Sequence, residues 1–202
     1  MNEGMTGVVN EGMTGVGNSA LLVMDVQREI VDLADDGSGY LPRLRRAIDG
    51  ARAADIPVIY VVIALRPGRP DVSTRNKALT AVVRAGLHIE GEPGSEIHPD
   101  IAPLPDETVV TKRRGSAFSG SDLDLVLRAR DIDNLVLTGI ATSGVVLHTA
   151  CHANDRDLGL TVLADACIDL DPEVHTLLTE KLFPQWAEVV AVEEWLKAVA
   201  PR

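Results

Sequence analysis

Hydrophobic residues cluster into six short runs, at 20–24, 58–63, 109–110, 135–137, 160–163 and 189–192, each rich in Val, Ile or Leu. Runs that are apolar at consecutive positions, rather than alternating, are what strands covered on both faces require. Between them the period lengthens to that of helices, at 41–54, 123–130, 143–154, 172–182 and 193–200. In the first of these, Leu44, Ala47, Ile48 and Ala51 share one face. Asp171-Pro172 supplies an N-cap and a first-turn proline, Ser121 or Asp122 caps the helix near Leu123, and Thr142 reads as the cap of the next. Strand and helix therefore alternate. With right-handed crossovers this predicts a three-layer α/β/α sandwich around a six-stranded, mostly parallel, Rossmann-like sheet, with ligands bound beyond the carboxyl ends of the strands.

Length and composition narrow the class. The chain has 202 residues, 46% of them hydrophobic and 24% charged, which suits one globular domain, expected at 20–202. Residues 1–19 carry a near-tandem duplication, Asn2-Glu-Gly-Met-Thr-Gly-Val8 and Asn10-Glu-Gly-Met-Thr-Gly-Val16, and read as a flexible tail. The duplicated unit is too short for a repeat architecture. The 19 basic against 30 acidic residues give a net charge of −11. Such a surface repels a polyanion, so no nucleic-acid partner is expected. No apolar run approaches the roughly 20 residues that span a bilayer, and the start lacks the basic and apolar blocks of a signal peptide. A cytoplasmic protein with no membrane partner is expected. Cys151 and Cys167 fit neither a disulfide scaffold nor a zinc spacing and read as reduced thiols.

Candidate chemistry lies at the strand ends. Leu22-Val-Met-Asp25-Val-Gln27 puts a carboxylate directly after an apolar run, where burial costs several kcal/mol unless a cation or donors meet it. Asp25 either caps the following turn or takes a charged partner. Lys112, at the same level after the third run, can supply that partner; the alternative is a solvated basic loop, which is the expectation for Arg113 and Arg114. Gly115 and Gly120 let this loop turn. After the fourth run, Thr138-Gly-Ile-Ala141-Thr-Ser143-Gly-Val145 forms a small-residue turn before a helix. Backbone N–H groups there can hold an oxyanion, or the small residues can serve packing alone. Arg66, Arg69 and Arg75 concentrate positive charge on one loop, to hold an anionic substrate or to pair with surface acids. Of the five histidines only His148 and His152 share a helical face, with no acidic ligand beside them, so no metal site and no cofactor are expected.

Taken jointly, Leu22-Val-Met-Asp25-Val-Gln27, Gly94-Ser-Glu96-Ile97, Val110-Thr-Lys112 with Ser116-Ala-Phe118, and Leu137-Thr-Gly-Ile140-Ala141-Thr142 resemble the isochorismatase-like hydrolases. That superfamily includes nicotinamidases, N-carbamoylsarcosine amidases and isochorismatases, and the resemblance runs from about residue 20 to 196. It implies the isochorismatase-like sandwich and hydrolysis of a small molecule at an amide or carbamoyl C–N bond or a vinyl ether. Asp25 and Lys112 match the Asp and Lys of the family's Asp-Lys-Cys triad. The third position departs from the pattern, because Val145 stands where the family has its nucleophilic Cys. Cys151 is displaced by about 9 Å along the helix and cannot replace it, and Ser143 points elsewhere once the helix has begun. Isochorismatases work without the thiol, using the Asp as a general acid, and Asp25 can act in that way if burial raises its proton affinity more than Lys112 lowers it. The resemblance further implies a cis Ile140-Ala141 peptide and oxyanion donors from the N–H groups of Ala141 and Val145. Substrate contacts are expected from Gln27, Arg66, Phe118, Ile140 and Ser143. The region of the family's metal-binding histidines holds none here. Trp186 and Trp195 read as core or interface anchors, and a homo-oligomer is expected. The alternative reading is a degenerate member that keeps the scaffold for binding or assembly.

Overall fold

The computed structural model describes residues 18–34, 37 and 39–200. The tail expected at 1–19 lies outside these residues up to position 17, while Ser19 already belongs to the first strand.

Six strands form one sheet: β1 (Ser19–Met24), β2 (Val58–Ile63), β3 (Thr108–Lys112), β4 (Asn134–Ile140), β5 (Gly159–Ile168) and β6 (Glu188–Val190). Their spatial order is β3-β2-β1-β4-β5-β6, and every neighbouring pair is parallel. The expected sandwich is therefore present, with a fully parallel sheet. Seven α-helices accompany the sheet among the described residues, six in the connections and the last after β6: α1 (Arg28–Ala34), α2 (Tyr40–Ala53), α3 (Lys77–Ala85), α4 (Leu123–Ala129), α5 (Leu147–Asn154), α6 (Pro172–Leu177) and α7 (Val192–Val199). None is long and apolar enough to cross a membrane.

The two-residue period of a strand divides the core. Ala20, Leu22 and Met24 of β1 pack with Leu123 and Leu127 of α4 and Ala150 of α5. Leu21 and Val23 point to the opposite face, against Leu44, Ile48 and Ala51 of α2 and Trp195 of α7. Because both faces of β1 are buried, its carboxyl end opens only at the rim of the sheet. The chain winds one way from β1 to β3 and the other way from β4 to β6, so the switch point lies between β1 and β4, where crevices form in open parallel sheets. These strands approach closely: a Cβ on Gly139, whose φ is +137°, would lie 2.2 Å from the Met24 carbonyl oxygen. Glycine is required there.

Several local expectations are corrected. Helix 143–154 is a widened turn over Thr142–Val146, with non-helical torsions at Gly144, followed by α5. Helix 172–182 likewise changes to a widened turn after Leu177. Thr142 does not cap α5, because its Oγ1 pairs with His175 Nδ1 at 2.8 Å. Asp122 makes no side-chain cap; Ser121 Oγ accepts a long bond from Leu123 N–H at 3.4 Å. Asp171 does cap α6, accepting from the N–H groups of Glu173 and Val174. Cys167 is buried in β5, which pushes its thiol up to about 12, whereas Cys151 is exposed; neither is in a disulfide. Trp195 sits in the core, and Trp186 packs at the core's edge, edge-on to Phe183.

Candidate active site

Asp25 is the residue immediately after β1, in the left-handed region with φ of 56°. Its main-chain N–H donates to Val61 O at 2.8 Å, which continues the β1–β2 ladder and turns the side chain into the molecule. Lys112 ends β3, two strands away, and is 1% exposed. Its long stem brings Nζ to 2.8 Å from Asp25 Oδ2, a contact between two buried side chains. A second Nζ proton goes to Arg114 O, also at 2.8 Å. The ion-pair reading of Asp25 and Lys112 is thus the one the fold adopts. Asp25 Oδ1 is buried and has no hydrogen-bond partner. Burial pushes the Asp25 carboxyl above its ordinary value of 3.8, against the opposing charges of Lys112 and His88.

Arg113 and Arg114 do not lie in solvent. Arg113 Nη1 donates to Ala64 O, and Arg114 donates to Arg113 O at 2.6 Å and to Asp71 O at 2.7 Å. Both guanidinium groups are used to satisfy the carbonyls of loops that no ladder reaches. They thereby fix the 64–71 segment beside the Lys112 strand. In the same segment Arg69 Nη1 donates to Val83 O, whereas Arg66 keeps an exposed side chain paired with Asp71 at 3.1 Å.

Across the switch point, β4 ends at a cis Ile140-Ala141 peptide, in agreement with the expectation. The turn that follows is held from β5 and α6. Ser143 N–H donates to Asp169 Oδ2 at 2.6 Å, and the Gly144 and Val146 N–H groups donate to Ala141 O. Ile140 and Val145 are both buried. Val145 belongs to the same apolar cluster as Met24, Ala117 and Phe118, so residues next to Asp25, beyond Lys112 and after β4 meet in one cluster. Phe118 itself is 8% exposed, with its ring 5.0 Å from that of His152 and the Arg156 guanidinium 4.8 Å above it. Ala117 N–H donates to Thr149 Oγ1, and Ser116 Oγ pairs with His152 Nδ1, so α5 holds the Lys112 loop. Burial, with Arg156 nearby, lowers the His152 ring; burial lowers that of His175.

Gln27 is buried, and its amide is fully occupied. Oε1 accepts Ile63 N–H at 2.9 Å, while Nε2 donates to Ile63 O at 3.0 Å and Ser95 O at 2.8 Å. Its place is that of a strut between β2 and the loop after α3. Residues the sequence reading passed over complete the frame: Asp169, and the pair formed by Glu29 and His88, 2.7 Å apart. No cluster of three or more metal-ligating side chains occurs among the described residues.

The fold is that of an α/β protein with a carboxylate and an ammonium group buried together beyond the carboxyl ends of its parallel strands. The chain belongs to the isochorismatase family: the isochorismatase domain matches residues 19–194. It is similar to the ureidoacrylate amidohydrolase RutB of Stutzerimonas stutzeri, at 36% identity over 77% of this chain and 71% of that protein. Among solved structures, an isochorismatase family protein of Desulfovibrio vulgaris superimposes with a TM-score of 0.80 at 28% identity, covering 91% of this chain and 99% of the other. The N-carbamoylsarcosine amidase of Thermoplasma acidophilum does so with a TM-score of 0.73 at 29% identity, covering 88% and 98%.

Proposed function

We propose that this chain hydrolyses a small molecule, with Asp25 supplying and recovering the proton and water acting as the nucleophile. The observation that carries this reading is the buried Asp25–Lys112 pair with one carboxyl oxygen left over. Oδ2 is held by Lys112, and Oδ1 is buried without a partner. A buried polar atom left unsatisfied costs about 1–3 kcal/mol, and a bound substrate that takes a proton from Oδ1 would satisfy it. The raised proton affinity of Asp25 suits a general acid, and Lys112 offsets the charge left once the proton has gone.

On the family resemblance Val145 stands at the nucleophile position, and valine has no atom that can attack. A covalent thioacyl route is therefore replaced by direct addition of water. For a vinyl ether, the Asp25 proton goes to carbon, water adds to the resulting cation, and the hemiketal collapses to a ketone and an alcohol as the proton returns. For an amide or carbamoyl group, water adds to the carbonyl carbon, the Asp25 proton goes to the departing nitrogen as the C–N bond breaks, and the proton lost by the water returns to Asp25. The carbonyl oxygen meets the N–H groups of Ala141 and Val145. The ureidoacrylate amidohydrolase and N-carbamoylsarcosine amidase among the relatives support the C–N arm. Ile140 and Phe118 would shape an apolar wall with Ser143 beside it, and Arg66, exposed and paired with Asp71, would turn to an anionic group.

Steady-state assays against amides, N-carbamoyl and ureido compounds and isochorismate test the reading. Turnover of at least one class is expected, with a loss of at least about 10²-fold in Asp25→Asn. The burial of Val145 in the core favours a second reading, a binding or assembly protein built on the same scaffold. Silence across the panel, with ligand binding equal in Asp25→Asn and the parent, would establish that alternative.

A further inference from the structure

The loop after β2 has a fixed main chain. Pro67 and Pro70 restrict its torsions, and Gly68 and Arg69 take left-handed conformations, φ 73° and 54°, in a turn closed by Arg69 N–H on Arg66 O at 2.8 Å. At its end Val72 packs with Ile63, Leu65 and Leu79. Arg114 ties this loop to the Asp25–Lys112 pair. Lys112 Nζ, 2.8 Å from Asp25 Oδ2, donates to Arg114 O at 2.8 Å, and the guanidinium of the same Arg114 donates to Asp71 O at 2.7 Å. A series of contacts therefore runs from Asp25 to Asp71.

Asp71 repeats the state of Asp25. Its Oδ2 is held by a cation, Arg66 Nη1 at 3.1 Å, while Oδ1 is buried without a hydrogen-bond partner. Among the described residues, Asp25 and Asp71 are the two carboxylates with a buried oxygen left over. The two members of the Arg66–Asp71 pair differ in freedom: the side chain of Arg66 is 54% exposed, that of Asp71 16%. Arg66 can swing away, whereas the carboxylate stays where Arg114 and Pro70 hold its main chain.

We infer that Asp71 is a specificity-determining residue, selecting substrates that carry both an N–H donor and an acid group: Oδ1 accepts the N–H, and Arg66 turns from Oδ2 to the acid. The inference deepens the hydrolase reading and rests on it. A carboxylate only accepts and a guanidinium only donates, so a ligand that meets both must offer a donor and an anion together. N-carbamoyl and ureido acids do so; acids without an N–H do not. Once Arg66 has turned, both Asp71 oxygens are open, and a urea presents two parallel N–H groups that match them as a pair. These lie on the edge opposite the urea oxygen, which stays available to the main-chain donors proposed above.

The test is binding, read by calorimetry in the Asp25→Asn background so that turnover does not intervene. The probes are N-carbamoylglycine and its fully N-methylated analogue, which keeps the acid but has no N–H. Adding Asp71→Asn, which preserves the side-chain volume, is expected to weaken N-carbamoylglycine about tenfold, with the methylated analogue unaffected. Equal affinity for N-carbamoylglycine with and without Asp71→Asn overturns the inference. Equal weakening of both probes also does, because Asp71 would then only hold the loop. So does a lack of saturable binding by both N-carbamoylglycine and its longer homologue N-carbamoyl-β-alanine. Binding that depends on Asp71 in a chain whose parent turns over nothing would leave this inference standing and overturn the hydrolysis.

Discussion

At the scale of single residues, the account turns on how one carboxyl group is held. Desolvation and the Lys112 charge act on Asp25 in opposite directions, and desolvation is the larger. The sign of the linkage follows. Asp25 titrates higher folded than unfolded, so its ionisation counts against the fold, and this penalty appears as pH rises through the folded midpoint. Lys112 limits the penalty. In Lys112→Met the ion pair is broken but the carboxyl remains buried, and the expected loss is about 3–5 kcal/mol. That loss should be greatest at alkaline pH and shrink as the pH falls and Asp25 takes up its proton. Denaturant melts of the parent and variant at several pH values measure it, and a loss independent of pH would show that Asp25 is not the group responding. Arg113 and Arg114 follow a simpler rule: two guanidinium groups that look solvated in the sequence are drawn inward by carbonyls that have no other donor.

At the scale of elements, the alternation of strands and helices was legible because apolar runs buried on both faces leave a plain signal. β2 spans the residues expected, and β1, β4 and α2 differ at their ends by only a few residues. β5 runs to Ile168 because its ladder resumes after an irregularity opposite Leu137 and Gly139, and the polar Asp165 hides this extension. α1 and α3 were missed, the first for its short length and the second because it follows an Arg- and Pro-rich loop. Asn76 and Gly86, which cap α3 at its two ends, were the available signal. The Asp25–Lys112 pair could be anticipated from strand-end positions. The ties of the segment 88–98 to the turn after β1 could not, since they are backbone bonds and bonds of Gln27, Glu29 and His88, whose partners lie 36 to 68 residues away. Gln27→Ala removes three of those bonds and leaves Ile63 and Ser95 with unmet backbone groups. A loss of about 3 kcal/mol is expected, with faster amide exchange through 95–98. Unchanged stability would mean that water replaces the amide and that the segment 88–98 is held by its other bonds.

At the scale of the whole molecule, the order β3-β2-β1-β4-β5-β6 explains why chemistry from distant parts of the sequence meets. The reversal of winding at β1 and β4 leaves their carboxyl ends without a crossing connection between them, and this opening receives Asp25 from one strand and the Ile140-Ala141 turn from the other. Lys112 reaches Asp25 from the edge strand because its stem is long enough to bridge the width of the intervening β2. The frame around this opening is shared by three layers, with α5 holding the Lys112 loop, Asp169 and His175 holding the turn after β4, and α1 holding the segment 88–98 through Glu29 and His88. Helix packing on both faces therefore bears directly on the geometry of one carboxyl group. The central claim is that this enclosure makes Asp25 a proton donor, and the titration midpoint of its carboxyl carbon, read by NMR in the intact chain without ligand, measures that property directly. The account predicts a midpoint clearly above 3.8, with the protonated form prevailing below it. A midpoint at or below that value would mean that Lys112 outweighs burial, and Asp25 could not serve as the acid.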